Sequence, residues 1–313
     1  MINILTWNIL APGWFCPYQD ITYGLNFTKK NIIWKHDNFH LMRIQNIINT
    51  IKILNPDIIC LQEITPNSLK IIKEQLGYKS YHSFIMNKNI ANEGIATLYN
   101  PQKNIKITKT IKFLDNQNEP NIYTYIKKNN KMYLVLNVHP PRGGNCFESI
   151  NYAINYNNKY KKLNKDVNNP DYPFIICGDF NSSNRISSQI EKKYSKFYWA
   201  KSTIDHYNNY SKLLKKLNII DSINLIKKSD QKKYYTTKKE DNIKDHEDHI
   251  FIRKNIKYKL YYGDYLNEFN EKIIDQGENG LLYFTQKNKN RKNWNNIYNN
   301  LTSDHRWIMI NII

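Results

Sequence analysis

Apolar residues in this chain are grouped in short unbroken runs, and several of these runs end at a polar or acidic residue. The run from Pro173 to Cys177 is followed by Gly178-Asp179-Phe180-Asn181. A second run, Ile58 to Leu61, belongs to a predicted strand from Asp57 to Ile64 that carries Glu63 near its end. Unbroken runs of this length are typical of strands buried on both faces of a sheet. They predict core strands whose polar ends lie at the rim of the sheet.

Further strands are predicted over the whole length of the chain. They cover Asn3 to Leu10, Glu93 to Tyr99, Asn121 to Ile126, Met132 to His139, Asp245 to Ile252 and the terminal run that follows Ser303-Asp304-His305. Alternating or continuous apolar positions bounded by Pro, Gly, Asn and Asp support these assignments. Several of these strands carry a polar residue at one end, as the first two runs do.

Helices are predicted between the strands. Apolar positions recur with helical period from His40 to Leu54, and Thr65-Pro66 provides an N-cap and a first-turn proline for a helix that stops at Gly77. Helical stretches are also predicted from about Ser149 to Asn164 and from Asn209 to Leu217. Because strands and helices are interspersed along the chain, the pattern favours two sheets packed face to face and flanked by helices.

The organisation of the chain is predicted from its length and its lysine-rich segments. A length of 313 residues fits one large α/β domain or two small ones, and we expect a single domain over residues 1–313 because no Pro/Gly/Ser-rich linker divides it. Lys227 to Lys244 is predicted to be a mobile surface loop, and Lys254 to Asn300 a weakly patterned insertion.

Net charge is the strongest signal in the composition. The chain has 46 Lys and Arg against 27 Asp and Glu, which gives a formal net charge of +19. An excess of this size favours a polyanionic partner, and we expect nucleic acid, with an anionic membrane surface as the alternative. The abundance of Asn, Ile, Lys and Tyr, whose codons are A/T-rich, also allows part of the charge to reflect genome composition.

Cysteine usage and the N-terminus predict the compartment. Cys16, Cys60, Cys146 and Cys177 form no Cys-x-x-Cys pair, which argues against a zinc site or a disulfide framework. The first residues show no basic region, long apolar stretch or cleavage site, and no segment reaches the roughly 18 apolar residues of a membrane span. We therefore expect a soluble intracellular protein in a reducing compartment, the cytoplasm or the nucleus.

Polar residues at strand ends are the candidates for catalysis. They are Asn8, Glu63, His139, Asp179, Asn181, Asp248, Asp304 and His305. A carboxylate can accept a proton from water, an amide can donate to a phosphate oxygen, and a carboxylate inside a buried strand requires a cation. Taken singly, each has an ordinary alternative, since Asp and Asn are common in turns and a lone histidine is usually packed and hydrogen-bonded.

The order of these motifs resembles that of the endonuclease/exonuclease/phosphatase superfamily, which has the DNase I-like fold. The resemblance rests on Trp7-Asn8, Leu61-Gln62-Glu63, Val138-His139, Gly178-Asp179-Phe180-Asn181, Asp248-His249-Ile250 and Ser303-Asp304-His305. It implies a four-layer α/β sandwich. Trp7 to Ala11, Trp34, Arg43, Pro56 to Glu63 and Cys177 to Ser182 are most similar to the branch with the carbon-catabolite-repression-type deadenylases, nocturnin and the angel-like proteins.

The resemblance also implies a role for each candidate. Glu63 would be the principal Mg²⁺ ligand, with Asn8 and Asp304 beside it and Mn²⁺ as a possible substitute. Asp179 would deprotonate or orient the attacking water, and Asn181 would hold a phosphate oxygen. His139 and His305 would stabilise charge developing at phosphorus, and Asp248 would orient His305. The chain departs from the family pattern at Pro140-Pro141 and Arg306-Trp307, and the pairs Asp245-His246 and Asp248-His249 leave the orienting acid open by one register.

The function implied is a Mg²⁺-dependent phosphodiesterase that hydrolyses nucleic acid. RNA is favoured over DNA, and 3′-to-5′ exonucleolytic cleavage of deadenylase type is expected. Alternatives of the same fold are a phosphoinositide phosphatase, a sphingomyelinase-like phospholipase and an abasic-site DNA endonuclease. A binding protein that has lost activity is disfavoured, because a decayed site would be expected to have lost at least one of these residues.

Overall fold

Two six-stranded sheets form the centre of the molecule. The computed structural model describes residues 1–9, 37–85, 93–141, 146–182, 198–225, 237–239, 243–263, 303 and 305–313. The strands are β1 (Ile2–Asn8), β2 (Ile58–Ile64), β3 (Lys79–Ile85), β4 (Glu93–Tyr99), β5 (Ile105–Leu114), β6 (Pro120–Lys128), β7 (Lys131–Val138), β8 (Phe174–Asp179), β9 (Ile219–Asp221), β10 (Thr237–Lys239), β11 (Ile243–Asp245), β12 (Asp248–Arg253), β13 (Tyr258–Tyr262) and β14 (Ile308–Ile312). The helices are α1 (Asp37–Leu54), α2 (Pro66–Leu76), α3 (Cys146–Asn155), α4 (Lys161–Asn168) and α5 (Tyr198–Lys216).

Both sheets are mixed. Sheet A has the order β13-β14-β1-β2-β4-β3, and sheet B has the order β5-β6-β7-β8-β12-β9. The parallel pairs are β1 with β2 in sheet A and β7 with β8 in sheet B, and the other neighbours are antiparallel. Each sheet therefore has two adjacent strands whose carboxyl ends lie at the same edge.

The molecule is layered as helix, sheet, sheet, helix. Between the sheets lies an apolar core to which each sheet contributes buried isoleucines and one cysteine, such as Ile4 and Cys60 from sheet A and Ile175 and Cys177 from sheet B. The outer face of sheet A packs on α1 and α2, and the outer face of sheet B packs on α3, α4 and α5. The predicted four-layer α/β sandwich is confirmed.

Helix α2 shows how local sequence sets an element's bounds. The Thr65 hydroxyl accepts a hydrogen bond from the Ser68 backbone N–H at 3.2 Å, and Pro66 occupies the first turn. Gly77 ends the helix with φ +69°, and its N–H donates to the Lys73 carbonyl. This is the predicted N-cap, proline and glycine stop.

Some predicted elements differ from the structure. The helical stretch from Ser149 to Asn164 is two helices, α3 and α4, joined by a 3₁₀ turn over Tyr156–Lys159. The loop predicted from Lys227 to Lys244 is wrong in part, since β10 and β11 pair there as an antiparallel hairpin. The insertion predicted from Lys254 to Asn300 contains β13, which pairs with β14 at the edge of sheet A. These short strands were not predicted because they lie in segments that are rich in lysine. Their backbone hydrogen bonds depend little on side-chain polarity.

Strands β3, β5 and β9 were not predicted. In β5 the pairing with β6 shifts register between Ile107 and Lys109. An extra residue at such a bulge reverses the side-chain alternation, so the pattern along β5 is not a continuous period of two. Strand β9 has three residues, which is too short for any periodicity to appear.

A buried amide network connects the two sheets. Gln62 of β2 donates through Nε2 to Asn137 Oδ1 of β7 at 2.8 Å, and Asn137 Nδ2 donates to the Ala96 carbonyl of β4 at 3.1 Å. Gln62 Nε2 also lies 3.2 Å from the Thr6 hydroxyl of β1. The Gln62 and Asn137 side chains are fully buried, so these hydrogen bonds offset the cost of removing their amides from water.

Gly178 lets β8 approach the end of β7. A Cβ at this position would lie 2.0 Å from the Val138 carbonyl oxygen, and backbone atoms cannot move aside cheaply. We therefore expect Gly178→Ala to lower the free energy of unfolding by about 3 kcal/mol, measured by urea denaturation.

Gly77→Ala is the matched control for this change. Gly77 has a left-handed φ of +69°, but a Cβ added there would have no atom within 4 Å, so strain alone acts and about 1 kcal/mol is expected. Equal losses for the two variants would contradict the role given to the Val138 carbonyl.

The described helices and cysteines bear on the expectations about membrane spans and thiols. In the described part of the chain, no helix is both long enough and apolar enough to cross a membrane. Cys60 and Cys177 are free and buried. Burial raises the pKa of the Cys177 thiol well above its usual value, and a hydrogen bond with Cys60 acts in the same direction. Both residues therefore behave as small apolar side chains of the inter-sheet core.

Candidate active site

The predicted site residues meet where the parallel strands of both sheets end. Asn8 ends β1 and Glu63 lies near the end of β2, while Asp179 ends β8 in sheet B. His139 directly follows β7, Asn181 lies two residues beyond β8, and Asp248 begins β12 opposite Asp179. His305 precedes β14. The structure brings together all of the predicted residues except Asp304, which lies outside the described residues together with Trp34.

Asp179 lies at the centre of this group. Its Oδ1 accepts a hydrogen bond from the Asn181 backbone N–H at 2.7 Å, and its Oδ2 accepts one from Asn8 Nδ2 at 2.8 Å. His139 Nε2 lies 3.8 Å and His305 Nε2 lies 3.7 Å from the same Oδ2 atom. A single buried carboxylate is thus surrounded by four nitrogen atoms from both sheets.

These contacts keep Asp179 ionised. Burial alone would raise its pKa, but the charges of His305 and His139, with the hydrogen bonds from Asn181 and Asn8, outweigh burial and lower the pKa to about 2. At neutral pH the carboxylate is therefore a hydrogen-bond acceptor and a poor proton acceptor.

Asn8 connects Asp179 to Glu63. Its fully buried amide nitrogen donates to Glu63 Oε1 at 2.8 Å as well as to Asp179. Because the nitrogen serves both carboxylates, the side-chain oxygen Oδ1 is the atom with which Asn8 could ligate a hard cation.

A bulge in β2 aims the Glu63 side chain. The pairing of β2 with β4 shifts register between Leu61 and Ile64, and Glu63 has a left-handed φ of +52°. Non-glycine residues rarely adopt this conformation, and bulges of this kind redirect side chains next to functional sites. The same bulge separates Glu63 from Gln62, which faces the inter-sheet amide network.

The site has donors suited to a divalent cation. Single ligand atoms of Glu63, His139 and Asp179 all lie within 4.8 Å of one another, and so do those of Asp179, Asp248 and His305. Carboxylate and amide oxygens from Glu63 and Asn8 fit a hard ion such as Mg²⁺ or Mn²⁺. Burial alone would lower the pKa of His139, but the charges of Asp179 and Glu63 outweigh it and raise the pKa above 6.5.

His305 is oriented by Asp248. Its Nδ1 lies 2.7 Å from Asp248 Oδ2, which fixes the ring so that Nε2 faces Asp179. The backbone around it is also held, since Trp7 Nε1 donates to the His305 carbonyl at 2.9 Å and the His305 N–H donates to the Ser303 hydroxyl at 3.1 Å. Of the two registers that the sequence left open, Asp248 is the acid in contact with His305.

Asn181 is held beside His139. It has a left-handed φ of +47°, a conformation that asparagine tolerates. Its Nδ2 donates to the Pro140 carbonyl at 2.9 Å and lies 3.4 Å from His139 Nε2. The Pro140 carbonyl therefore orients the Asn181 amide.

Comparison with known sequences assigns the chain to a family. A sequence model described as the Endonuclease/Exonuclease/phosphatase family matches residues 5–305, a range that includes all the site residues. The chain belongs to the endonuclease/exonuclease/phosphatase family. The prediction of a metal-dependent phosphodiester hydrolase is confirmed at this level. Comparison with curated protein sequences gives no match.

Several solved structures share this fold. The human nocturnin catalytic domain with a bound sulfate anion has a TM-score of 0.57 at 15% identity, covering 100% of this chain and 94% of that chain. A truncated Caenorhabditis elegans TDP2 has a TM-score of 0.56 at 17% identity, with 100% and 97% covered. The endonuclease/exonuclease/phosphatase from Bacteroides vulgatus has a TM-score of 0.60 at 14% identity, with 100% and 98% covered.

A buried ion pair behind the family's Gly-Asp-x-Asn segment was not predicted from the sequence. His249 Nδ1 lies 2.7 Å from Asp221 Oδ2, and His249 Nε2 lies 3.0 Å from the Ser182 carbonyl. Because both acceptors are oxygens without a hydrogen to give, the ring is held with both nitrogens donating. His249 thus fixes the backbone just after Asn181. The adjacent Asp248-His249 pair is the sequence signal that could have indicated it.

This ion pair predicts a pH dependence of stability. Burial alone would lower the pKa of His249, but the charge of Asp221 and the hydrogen bonds to Asp221 and Ser182 outweigh it and raise the pKa above 6.5. The contribution to stability is therefore fully present below pH 6.5 and is lost as the pH rises through the folded-state pKa. We expect His249→Gln to cost about 3 kcal/mol at pH 6 and less at pH 9, measured by urea denaturation.

Asp221→Asn provides the second arm of this experiment, because it removes the charge and keeps the side-chain shape. Its stability deficit relative to wild type should also shrink between pH 6 and pH 9. A deficit that stays constant over this range for both variants would show that His249 is not charged in the folded protein.

Proposed function

We propose that this chain is a Mg²⁺-dependent phosphodiesterase that hydrolyses nucleic acid, that its substrate is RNA, and that it removes nucleotides in the 3′-to-5′ direction as a deadenylase does. We also propose that residues 1–313 form one catalytic domain. The observation that carries the proposal is the convergence of Asn8, Glu63, Asp179 and His305 from two sheets on one small volume.

The metal would be held by oxygen atoms of sheet A. Glu63 and Asn8 are the proposed ligands, with Asp304 added on the strength of the family resemblance. When bound, the cation neutralises charge on the non-bridging oxygens of the scissile phosphate. Asn8 has a second task here, because its amide nitrogen keeps the Glu63 and Asp179 carboxylates at a fixed separation.

The remaining residues act on water and on the phosphate. Asp179, ionised with a pKa of about 2, would accept a hydrogen bond from the attacking water and align it for attack. His139, whose pKa is raised, favours the imidazolium form and would donate to a phosphate oxygen. His305 would donate from Nε2 while Asp248 stabilises the charged ring. Asn181 would donate its second amide hydrogen to the phosphate.

Two features favour nucleic acid, and RNA in particular, as the substrate. The net charge of +19 would attract a polyanion and strengthen its binding by counterion release. The segments Trp7 to Ala11, Pro56 to Glu63 and Cys177 to Ser182 resemble the deadenylase branch.

A substrate panel tests the proposal. Purified protein is incubated with 5′-labelled poly(A) RNA, a mixed-sequence RNA, the matching DNA, an abasic-site duplex and a phosphoinositide, with Mg²⁺, with Mn²⁺ and with EDTA. We expect poly(A) to be shortened from its 3′ end with either metal and to stay intact in EDTA. Cleavage restricted to the abasic duplex, or phosphate release restricted to the phosphoinositide, would replace the RNA proposal with that activity. No turnover of any substrate would overturn it.

A further inference from the structure

A row of three tyrosines lies on the outer side of sheet B, away from the catalytic residues. Tyr152 lies on α3, Tyr156 begins the 3₁₀ turn that follows it, and Tyr160 directly precedes α4. The three residues are thus spaced by four, and consecutive rings have centroids 5.9 Å apart. The middle ring stacks on Phe113 of β5 at 3.7 Å. Tyr160 at the far end is 38% exposed. This tyrosine row is therefore anchored on the edge strand of sheet B and reaches the surface.

Lysines lie over the rings of the row. Lys159 Nζ lies 5.5 Å from the ring centroid of Tyr152 and 4.6 Å from that of Tyr156, and it donates to the Tyr152 hydroxyl at 3.1 Å. Lys109 Nζ lies 5.4 Å from the Tyr160 ring centroid. Within the described ranges, neither lysine forms an ion pair with a carboxylate. Both ammonium groups are therefore held by aromatic faces and are available to an anion.

A cavity of about 320 Å³ lies beside the first two tyrosines. Besides their rings and Lys159, it is lined by Asn116, Glu148, Asn151 and Asn155. The volume is at the lower end of the range for small-ligand sites, about 300–1,000 Å³. Side-chain amides next to aromatic rings are suited to a nucleobase, because the ring stacks on its face and the amide bonds to its edge.

The row leads towards the catalytic edge of the sheets. Strand β5 is antiparallel to β6, which is antiparallel to β7, so β5 and β7 end at the same edge. Lys109 lies in the middle of β5, Phe113 near its end, and Asn116 in the turn beyond it. That turn is close to the site, because Asn121, which follows it, pairs with Val138, the residue before His139. The cavity is thus at the end of the row nearest to His139.

We propose that the tyrosine row and the two lysines bind single-stranded nucleic acid and guide it towards the active site. Bases stack on the row while Lys159 and Lys109 turn from the rings to the phosphates. This inference rests on the proposed function, because it takes a nucleic acid as the substrate. A single strand is specified because its bases expose the faces that a duplex keeps stacked. The alternation of rings and cations matches the alternation of base and phosphate along such a strand.

Tyr160→Ala combined with Lys159→Gln tests the proposal. The matched control is Tyr261→Ala combined with Lys259→Gln, which changes an exposed tyrosine and an exposed lysine on β13 of sheet A. Binding of a fluorescein-labelled 12-nucleotide oligo(A) is followed by anisotropy in EDTA at several salt concentrations. We expect the row variant to raise Kd about tenfold and to lower the slope of log K against log salt by about 1, and the control variant to bind as wild type does.

Turnover of a dinucleotide separates this proposal from the proposed function. Tyr160 contacts Lys109, which is level across the sheet with Leu134, and Leu134 lies about 17 Å along β7 from His139. A dinucleotide in the active site should not span this distance, so the row variant should hydrolyse it with unchanged kcat and KM while the KM for the 12-mer rises. If oligo(A) binding depends on the row but the protein cleaves no nucleic acid, the row would stand as a binding surface and the proposed function would be wrong. Equal Kd for wild type and the row variant, or no binding by wild type, would overturn the row as a binding surface.

Discussion

Glu63→Gln is expected to reduce kcat for phosphodiester hydrolysis by about 10³-fold. The change removes the negative charge that would hold the cation. It leaves a side-chain oxygen that can still accept the hydrogen bond from Asn8 Nδ2. Turnover of the best substrate in the panel measures the loss, and titration calorimetry with Mn²⁺ should show weaker metal binding.

Glu74→Gln is the matched control, because Glu74 is an exposed glutamate on α2 and the chemical change is the same. The control variant should keep wild-type turnover and metal affinity. Thermal unfolding of both variants without metal should resemble that of the wild type. Retained turnover in the Glu63 variant would mean that Glu63 is not the metal ligand.

Asp179→Asn is expected to have an effect of similar size, about 10³-fold on kcat, for a different reason. Asparagine can still accept the Asn181 N–H through its oxygen. It has neither the second acceptor for Asn8 nor the charge that attracts His139 and His305. The water would lose its acceptor, whereas the metal ligands proposed from sheet A stay in place.

Oligonucleotide affinity sets Asp179→Asn apart from Glu63→Gln, for which weaker metal binding is expected. Removing the negative charge of Asp179 from the phosphate site should leave oligonucleotide binding unchanged or tighter, so the loss should fall on kcat and not on KM. Asp171→Asn, at an exposed aspartate, serves as the control. Activity of the Asp179 variant within tenfold of wild type would rule out a direct role for this carboxylate in aligning water.

Much of the sandwich was predictable because its strands are apolar. Strands such as β2, β7 and β8 are buried on both faces. Each contains a short unbroken apolar run, which is the pattern typical of a strand buried on both faces. The helix after β2 carried explicit start and stop residues in Thr65-Pro66 and Gly77. Edge elements gave weaker signals, because β5 contains a bulge and β13 alternates exposed positions within a lysine-rich segment.

The residues of the site were predictable as a series, but their contacts were not. Asn8, Glu63 and His139 stand out because a polar residue at the end of an apolar strand is conspicuous. The bridging of two carboxylates by the Asn8 amide depends on the distance between the sheets, which no local pattern encodes. The Asp221–His249 ion pair joins residues 28 positions apart in the chain, and Asp221 belongs to a strand of three residues that shows no pattern.

The amides of Gln62 and Asn137 have a consequence for catalysis. Asn8 and Glu63 belong to one sheet and Asp179 and His139 to the other, so a small translation between the sheets would pull these proposed catalytic residues apart. A purely aliphatic interface resists such sliding weakly, because one methyl contact can replace another at little cost. The 2.8 Å hydrogen bond between the buried Gln62 and Asn137 amides is favourable at only one relative position of the two sheets. The proposed catalytic groups are therefore kept in alignment from inside the core, one residue away from Glu63.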